Sequence, residues 1–331
     1  MGGGRPVRET CPRKRGVLAS EVGNDLLCTL RTRVAPARRV PPLRLRRSWL
    51  AGLLSVIVAC GCGGSDEDRP ESRKAIRTVV PPGEVLGTFD VGGRKLNLRC
   101  YGSGSPVVVF EAAHTVDSSA YLNLARQVGD VTQACAYDRA NLGLSDPRSG
   151  SRDGLDVVTD LTALLAAAKV SGPYVLVGHS FGGVLTLLYA AERPDDVLGL
   201  VLLDAAHPDT EAEFATLIPS RDRRRFNAAD QRREPLDLDA ASAQLHARLG
   251  NLPHVPMTVV TATRFDDLPP DWPRRKMKRV WLRHQKEYAA MIPGARQVMA
   301  DTHQHDIWVV DPLPVIEEIK AVVQAAREQR G

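Results

Sequence analysis

The sequence predicts an α/β fold with a mostly parallel, eight-stranded sheet carrying helices on both faces. Two observations carry this reading. Short apolar runs alternate with segments of helical periodicity along most of the chain, the pattern of strands buried under crossing helices. One of these runs, "VLVGHSFGGVL" at residues 175–185, passes from a strand through a glycine-flanked turn directly into a helix. A third observation sets the N-terminal segment apart. The chain of 331 residues carries a net +5, but residues 1–50 hold 12 Lys/Arg against three acids. That segment therefore carries +9 and leaves −4 on the rest. A mildly acidic folding part excludes nucleic acid as the main partner.

The elements follow in order. "GEVLGTFDVGGRKLNLRCYGSG" predicts a hairpin of two alternating strands around Gly92-Gly93. "PVVVFEAA" and "QACAYDR" are continuous apolar runs, as doubly covered strands are. Val157, Leu161, Leu164, Leu165 and Ala168 fall at helical spacing. Next come the strand "YVLVGHS", a helix with Val184, Leu185, Leu187, Leu188 and Ala191, and the strand "VLGLVLLDAA". Residues 207–254 lose the strand pattern; charged, helical in composition and broken by prolines, they form an insertion that caps the domain. "VPMTVVTATR" resumes a strand, "RRKMKRVWLRHQKEYAAM" is a helix, "ARQVMA" a short strand and "PVIEEIKAVVQAA" a closing amphipathic helix. The folded domain is expected over residues 84–325, with no internal repeat.

The segment before it reads differently. Arg44, Arg46 and Arg47 precede an apolar run from Trp49 to Ala59 that is too short to span a bilayer but suits the apolar part of a signal peptide. Residues 1–59 are thus read as a basic segment and signal peptide, with the true start expected nearer Val34 or Val40. "Ile57-Val58-Ala59-Cys60" resembles a bacterial lipobox, which implies a lipidated Cys60 at the mature N-terminus. Residues 60–83, opening in a Gly/Ser/acid-rich stretch, form a flexible tether. The expected location is the outer face of a bacterial membrane through a lipid anchor, with plain secretion as the alternative. Cys62, Cys100 and Cys135 then remain in a compartment that permits disulfides.

Gly178-His179-Ser180-Phe181-Gly182 fits G-x-S-x-G in the strand-to-helix setting a nucleophile elbow requires. The small flanks, Gly178 and Gly182, let the turn hold the Ser180 hydroxyl out at the start of the helix. Glycines used only for close helix–strand packing are the plain alternative. A serine needs a base, and the late histidines are His303 and His305 in "ADTHQHDIWVVDP". As a metal site the H-x-H pair lacks third and fourth ligands, so no metal is expected.

With "GHSFGG" at 178–183 and "YDRANLGLSDP" at 137–147, the chain resembles the α/β-hydrolase fold superfamily over residues 84–325. Members of this branch close with H-x-I-x-x-x-x-P-x-x-V, and His305, Ile307, Pro312 and Val315 match it in register. The resemblance thus implies His305 as base and leaves His303 a loop or supporting residue. It places the orienting acid in the loop after "VPMTVVTATR", where one inserted residue shifts the usual position from Phe265 to Asp266; Asp204, which some members use, and Asp267 are the alternatives. The oxyanion hole falls to the backbone N–H groups of His114 and Phe181. Relatives often read "EAGLGGSSxxW" where this chain has Glu111 to Tyr121, so Ala113 and Val116 replace glycines and restrict the loop. Asp138 and Arg139 are expected to pack and pair beneath the site, and Asn141 takes a position where glycine is common. In the superfamily's sheet order the strands of Cys100 and Cys135 are neighbours, which implies a disulfide between them.

The resemblance implies an exported serine hydrolase, carboxylesterase- or lipase-like, that cleaves a small-molecule ester or an amide through an acyl-enzyme without a cofactor. An aminopeptidase needs an acid for the free amine, for which Glu211, Glu213 and Asp237 are available. A haloperoxidase-like member and a tethered, non-catalytic binding protein are the other readings.

Overall fold

A computed structural model describes residues 84–222, 232–263, 268–302 and 304–330. The apolar run at 49–59, Cys60, the tether, His303 and the pair Asp266 and Asp267 lie outside them.

The hairpin forms where the sequence places it. β1 (Val85–Asp90) and β2 (Lys95–Tyr101) pair antiparallel around Gly92 and Gly93, whose φ values are +97° and +93°. Only glycine adopts such angles freely, and the Asp90 carboxylate accepts both glycine N–H groups. The apolar runs become β3 (Val107–Glu111), β4 (Ala134–Tyr137), β5 (Tyr174–His179), β6 (Val197–Leu203) and β7 (Met257–Ala262), and β8 (Arg296–Ala300) closes the sheet. The strand order is β1-β2-β4-β3-β5-β6-β7-β8. The pairings from β4 to β8 are parallel, and those of β1 with β2 and β2 with β4 antiparallel. Every residue of β3, β4, β5 and β7 is buried, which explains why these strands read as unbroken apolar runs.

Seven helices lie among the described residues: α1 (Leu122–Val128), α2 (Gly154–Ala167), α3 (Gly182–Glu192), α4 (Thr210–Leu217), α5 (Leu238–His246), α6 (Arg274–Met291) and α7 (Leu313–Glu328). One core sets Leu161, Leu164, Val184 and Leu188 against one face of the sheet. The other sets Leu124, Val128, Ile316, Ile319 and Val323 against the opposite face. The last helix runs to Glu328, past the expected end at 325, because Ala326 still packs inside.

The insertion expected over 207–254 divides. α5 lies back on α2 and α3, with Ala241 and Leu245 in the first core. α4 packs on α6, with Phe214, Ile218, Met277 and Trp281 forming a smaller cluster. Of the insertion, α4 thus packs on the crossover helix between β7 and β8, and α5 belongs to the body of the domain.

Cys100 and Cys135 are direct partners across β2 and β4, with Cα atoms 4.0 Å apart, and a disulfide joins them. It ties the antiparallel edge to the parallel centre and closes a separation of 35 residues. Replacing both cysteines by serine is expected to lower unfolding stability by about 4 kcal/mol, the loop-closure entropy for a separation of 35 residues. Denaturant unfolding of both proteins, with thiol titration of the wild type, reads it. Free thiols at both positions in the wild type contradict the bridge.

Candidate active site

Ser180 follows the last residue of β5 and has φ +52°, a left-handed angle that serine occupies only under constraint. Its neighbours supply the constraint. A Cβ at Gly178 would collide with Thr186 Oγ1 and the Gly182 carbonyl, and one at Gly182 with the carbonyls of Glu111 and Ala112. The elbow therefore needs glycine on both sides, and Gly182 lets the end of β3 press against the start of α3. The turn closes by hydrogen bonds from Ser180 N to Leu203 O (3.2 Å) and from Gly183 N and Ala206 N to Ser180 O (2.9 Å each).

His305 lies in the loop between β8 and α7, beside the elbow, with its ring centroid 4.7 Å from that of His179. Its Nδ1 is 2.7 Å from Oδ2 of Asp204. Asp204 directly follows β6, has φ +40° and is fully buried. Its other oxygen accepts the Ala262 N–H at 3.0 Å and the Trp281 Nε1–H at 2.8 Å. The carboxylate on His305 is thus Asp204, the alternative acid, at the end of β6. The expected first choice, Asp266, and Asp267 fall outside the described residues. α6 secures the loop behind Asp204: Gln285 Nε2 and the Tyr288 hydroxyl donate to the carbonyls of Ala205 and Ala206.

The loop after β3 is held from below by Arg139. All five of its N–H donors are used: Nε to Glu234 (2.6 Å), Nη1 to Glu111 and to the Ala112 carbonyl (2.7 Å each), and Nη2 to the Ala113 carbonyl (2.7 Å) and Glu234 (2.8 Å). Both peptides leading to His114 thus point their carbonyls down at the guanidinium. In a trans peptide the N–H points opposite to the C=O, so the His114 N–H is turned away from the guanidinium. Among the described residues neither this N–H nor that of Phe181 has an acceptor in the chain. The restriction expected at Ala113 and Val116 falls between them, two residues after the first and one before the second. Thr115 carries the positive φ, +65°, although it is β-branched. Glu234 compensates: its Oε2 accepts the Thr115 N–H at 2.8 Å and its carbonyl meets His114 Nε2 at 3.0 Å. His114 is thereby half-buried and tied down.

Glu234 is fully buried inside the insertion and also pairs with Arg152 at 2.9 Å. Burial alone raises a carboxyl pKa, but Arg139 and the Thr115 N–H outweigh it and hold Glu234 at about 2. Glu111 meets the same arginine, yet burial dominates there and pushes its pKa up. Sequence reading passed over Glu234, because "QRREPLD" looks like a solvated charged stretch. Of the acids considered for an amine-binding role, Glu213 pairs with Arg283 and Asp237 caps α5. Asn141 takes the expected left-handed backbone, at φ +73°.

One group could be taken for a metal site. His207, His284 and Glu287 bring ligand atoms within 4.8 Å of one another. The two imidazoles, however, are stacked at 4.5 Å with 22° between their planes. A metal must lie in the plane of each ring it binds, and planes so nearly parallel do not meet within bonding distance. The arrangement does not fit a metal unless a ring turns.

The sequence pattern of the alpha/beta hydrolase fold family matches residues 113–284, more than half of the chain. Among curated relatives, the uncharacterized protein YqjL of Bacillus subtilis is 39% identical over 118 residues, 36% of this chain and 46% of that protein. The 2-(acetamidomethylene)succinate hydrolase of Mesorhizobium japonicum is 32% identical over 164 residues, 50% of this chain and 56% of that one. The chain thus spans about half the length of these relatives. Among solved structures, Est816, an N-acyl homoserine lactone degrading enzyme, superposes with a TM-score of 0.54 at 18% identity, covering 72% of this chain and 100% of that one. At that identity the likeness shows the fold alone.

Glu234→Gln removes the anion that two buried arginines share. The expected cost at neutral pH is about 3–5 kcal/mol, the range for breaking a buried pair from one side. Because the native pKa is depressed from 4.5 to about 2, the contribution of this group is present above pH 4.5 and fades as the pH falls toward 2. Unfolding curves of the two proteins at several pH values should therefore converge on the acid side. A constant gap contradicts the assignment.

Proposed function

The chain belongs to the alpha/beta hydrolase fold family, and from that premise we propose that it is an exported serine hydrolase cleaving esters through an acyl-enzyme intermediate. The observation that carries this reading is the 2.7 Å contact of His305 Nδ1 with a fully buried Asp204, beside a serine held at φ +52°.

Ser180 Oγ attacks the acyl carbon while its proton passes to His305 Nε2. Asp204 accepts a hydrogen bond from the Nδ1–H, fixes the tautomer and stabilises the imidazolium that forms. The negative charge that develops on the carbonyl oxygen is received by the N–H groups of His114 and Phe181, the latter at the N-terminus of α3. Each such donor is worth on the order of 10²–10³ in rate because it is already oriented. Collapse expels the alcohol, which takes its proton from His305. Water then repeats the sequence on the acyl-enzyme with His305 as base. The route needs no metal and no cofactor.

Esters are the first substrate class, and amides the second, for which the relative named a 2-(acetamidomethylene)succinate hydrolase speaks. Export, with anchoring through a lipidated Cys60 or secretion, is supported by the apolar run after three arginines and by the Cys100–Cys135 disulfide. No helix among the described residues is long and apolar enough to cross a membrane.

The test is intact mass after treatment with a fluorophosphonate. The wild type should gain one adduct, absent from Ser180→Ala and strongly slowed in His305→Ala. Asp204→Asn should retain the fold and lose on the order of 10⁴ in kcat on an aryl ester. An unlabelled, folded wild type would mean that the elbow is architectural, and the chain a tethered binding protein. Full activity in Asp204→Asn would move the acid elsewhere.

A further inference from the structure

Ser180, the N–H of His114 and His305 come from three separate loops, and the chemistry proposed above depends on their relative placement. Two buried side chains that take no part in that chemistry connect these loops. The Tyr121 hydroxyl lies 3.0 Å from Ala113 N and 2.9 Å from His179 Nδ1. His179 Nε2 lies 3.2 Å from the backbone carbonyl of His305.

Only one assignment of protons satisfies all three bonds. The Ala113 N–H can only donate, so the tyrosine oxygen accepts. That oxygen's single proton then goes to Nδ1 of His179. The imidazole is thereby the Nε2–H tautomer, and it donates to the His305 carbonyl. The chain of bonds runs in one direction from the oxyanion loop, past the elbow, to the backbone that carries the base. Burial favours the neutral state each member needs: it pushes the Tyr121 pKa up, and, with His305 nearby, pushes that of His179 well below its usual value. Trp308 wedges the pair in place. Its ring is 5.0 Å from Tyr121 and 4.7 Å from His179, and its Nε1–H donates to the Ala120 carbonyl at 3.1 Å. An indole at this position would donate only and could not accept the Ala113 N–H, so the link to the loop after β3 depends on tyrosine.

We propose that Tyr121 and His179 are positioning residues that lock the oxyanion loop and the base-bearing loop to each other through this directed hydrogen-bond chain. The inference rests on the serine hydrolase reading. Neither side chain is assigned contact with substrate; both act through the backbone of the groups that have it.

The test compares the full-length wild type with Tyr121→Phe, His179→Gln and the double variant. The phenylalanine keeps the ring and its packing but leaves two groups unpartnered. The glutamine amide retains a donor that reaches the His305 carbonyl, while its oxygen, one bond farther from the backbone, does not replace Nδ1 as the acceptor for Tyr121. Steady-state hydrolysis of p-nitrophenyl acetate and the rate of fluorophosphonate labelling are measured, with melting curves alongside. Tyr121→Phe is expected to lose about 10- to 100-fold in kcat, the scale of a displacement of about 1 Å, with KM within about twofold. The double variant should lose little more than the worse single one, because both break one unit. If Tyr121→Phe does not fold, His179→Gln alone must show the kcat loss at unchanged KM. Wild-type kcat and labelling in a folded Tyr121→Phe overturn the inference, as do multiplicative losses or a loss confined to KM. A wild type that takes no label overturns the underlying reading instead, and the two failures are thus distinct.

Discussion

Arg139 is the constraint on which the rest of the site depends. A guanidinium without solvent is costly unless every donor is met, and all five are met here by two carboxylates and two backbone carbonyls. The two carboxylates come from the end of β3 and from the insertion, so one side chain joins the sheet, the loop after β3 and the insertion. The partners answer the shared charge differently. Glu234, which also faces Arg152, is held strongly ionised, whereas burial dominates at Glu111, which accepts the Tyr137 hydroxyl as well. Such clusters are weak contributors to stability and strong determinants of geometry.

That geometry explains how a loop without glycine at 113, 115 or 116 can still present a donor. Pinning two successive carbonyls fixes two peptide planes, and the direction of the His114 N–H follows from them. The cost appears at Thr115, whose left-handed backbone Glu234 holds in place. A second constraint works on the opposite side. Asp204 and Ser180, each directly after a buried strand, both carry positive φ. Adjacent parallel strands end at the same edge, so their ends place Ser180 and Asp204 side by side, and α6 covers Asp204 through Trp281.

Much of this is legible in the sequence. Strands buried on both faces read as apolar runs because no residue in them needs to be polar. The elbow declares itself because the close approach of Glu111 and Ala112 leaves only glycine at 182. His305 is singled out as a candidate base by register. The carboxylate that meets it is not, because acids stand both directly after β6 and in the loop after β7, and the choice depends on which loop folds against His305. Glu234 is hidden by its context: a charged run predicts solvent, and only the tertiary meeting with Arg139 and Arg152 turns it inward. Tyr121 and His179 escape for a related reason. Each looks like a filler of its motif until the hydrogen bonds between motifs are seen.

The central claim is that a single pre-set frame aims Ser180, His305 and two backbone donors at one point. A crystal structure of the protein phosphonylated by a fluorophosphonate tests it most directly. The account predicts phosphorus bonded to Ser180 Oγ, one phosphonyl oxygen about 2.7–3.1 Å from both the His114 and Phe181 nitrogens, and the loop at 112–115 unmoved on Arg139. Phosphorus on another residue, or an oxygen turned away from those nitrogens with the loop rearranged, would contradict it.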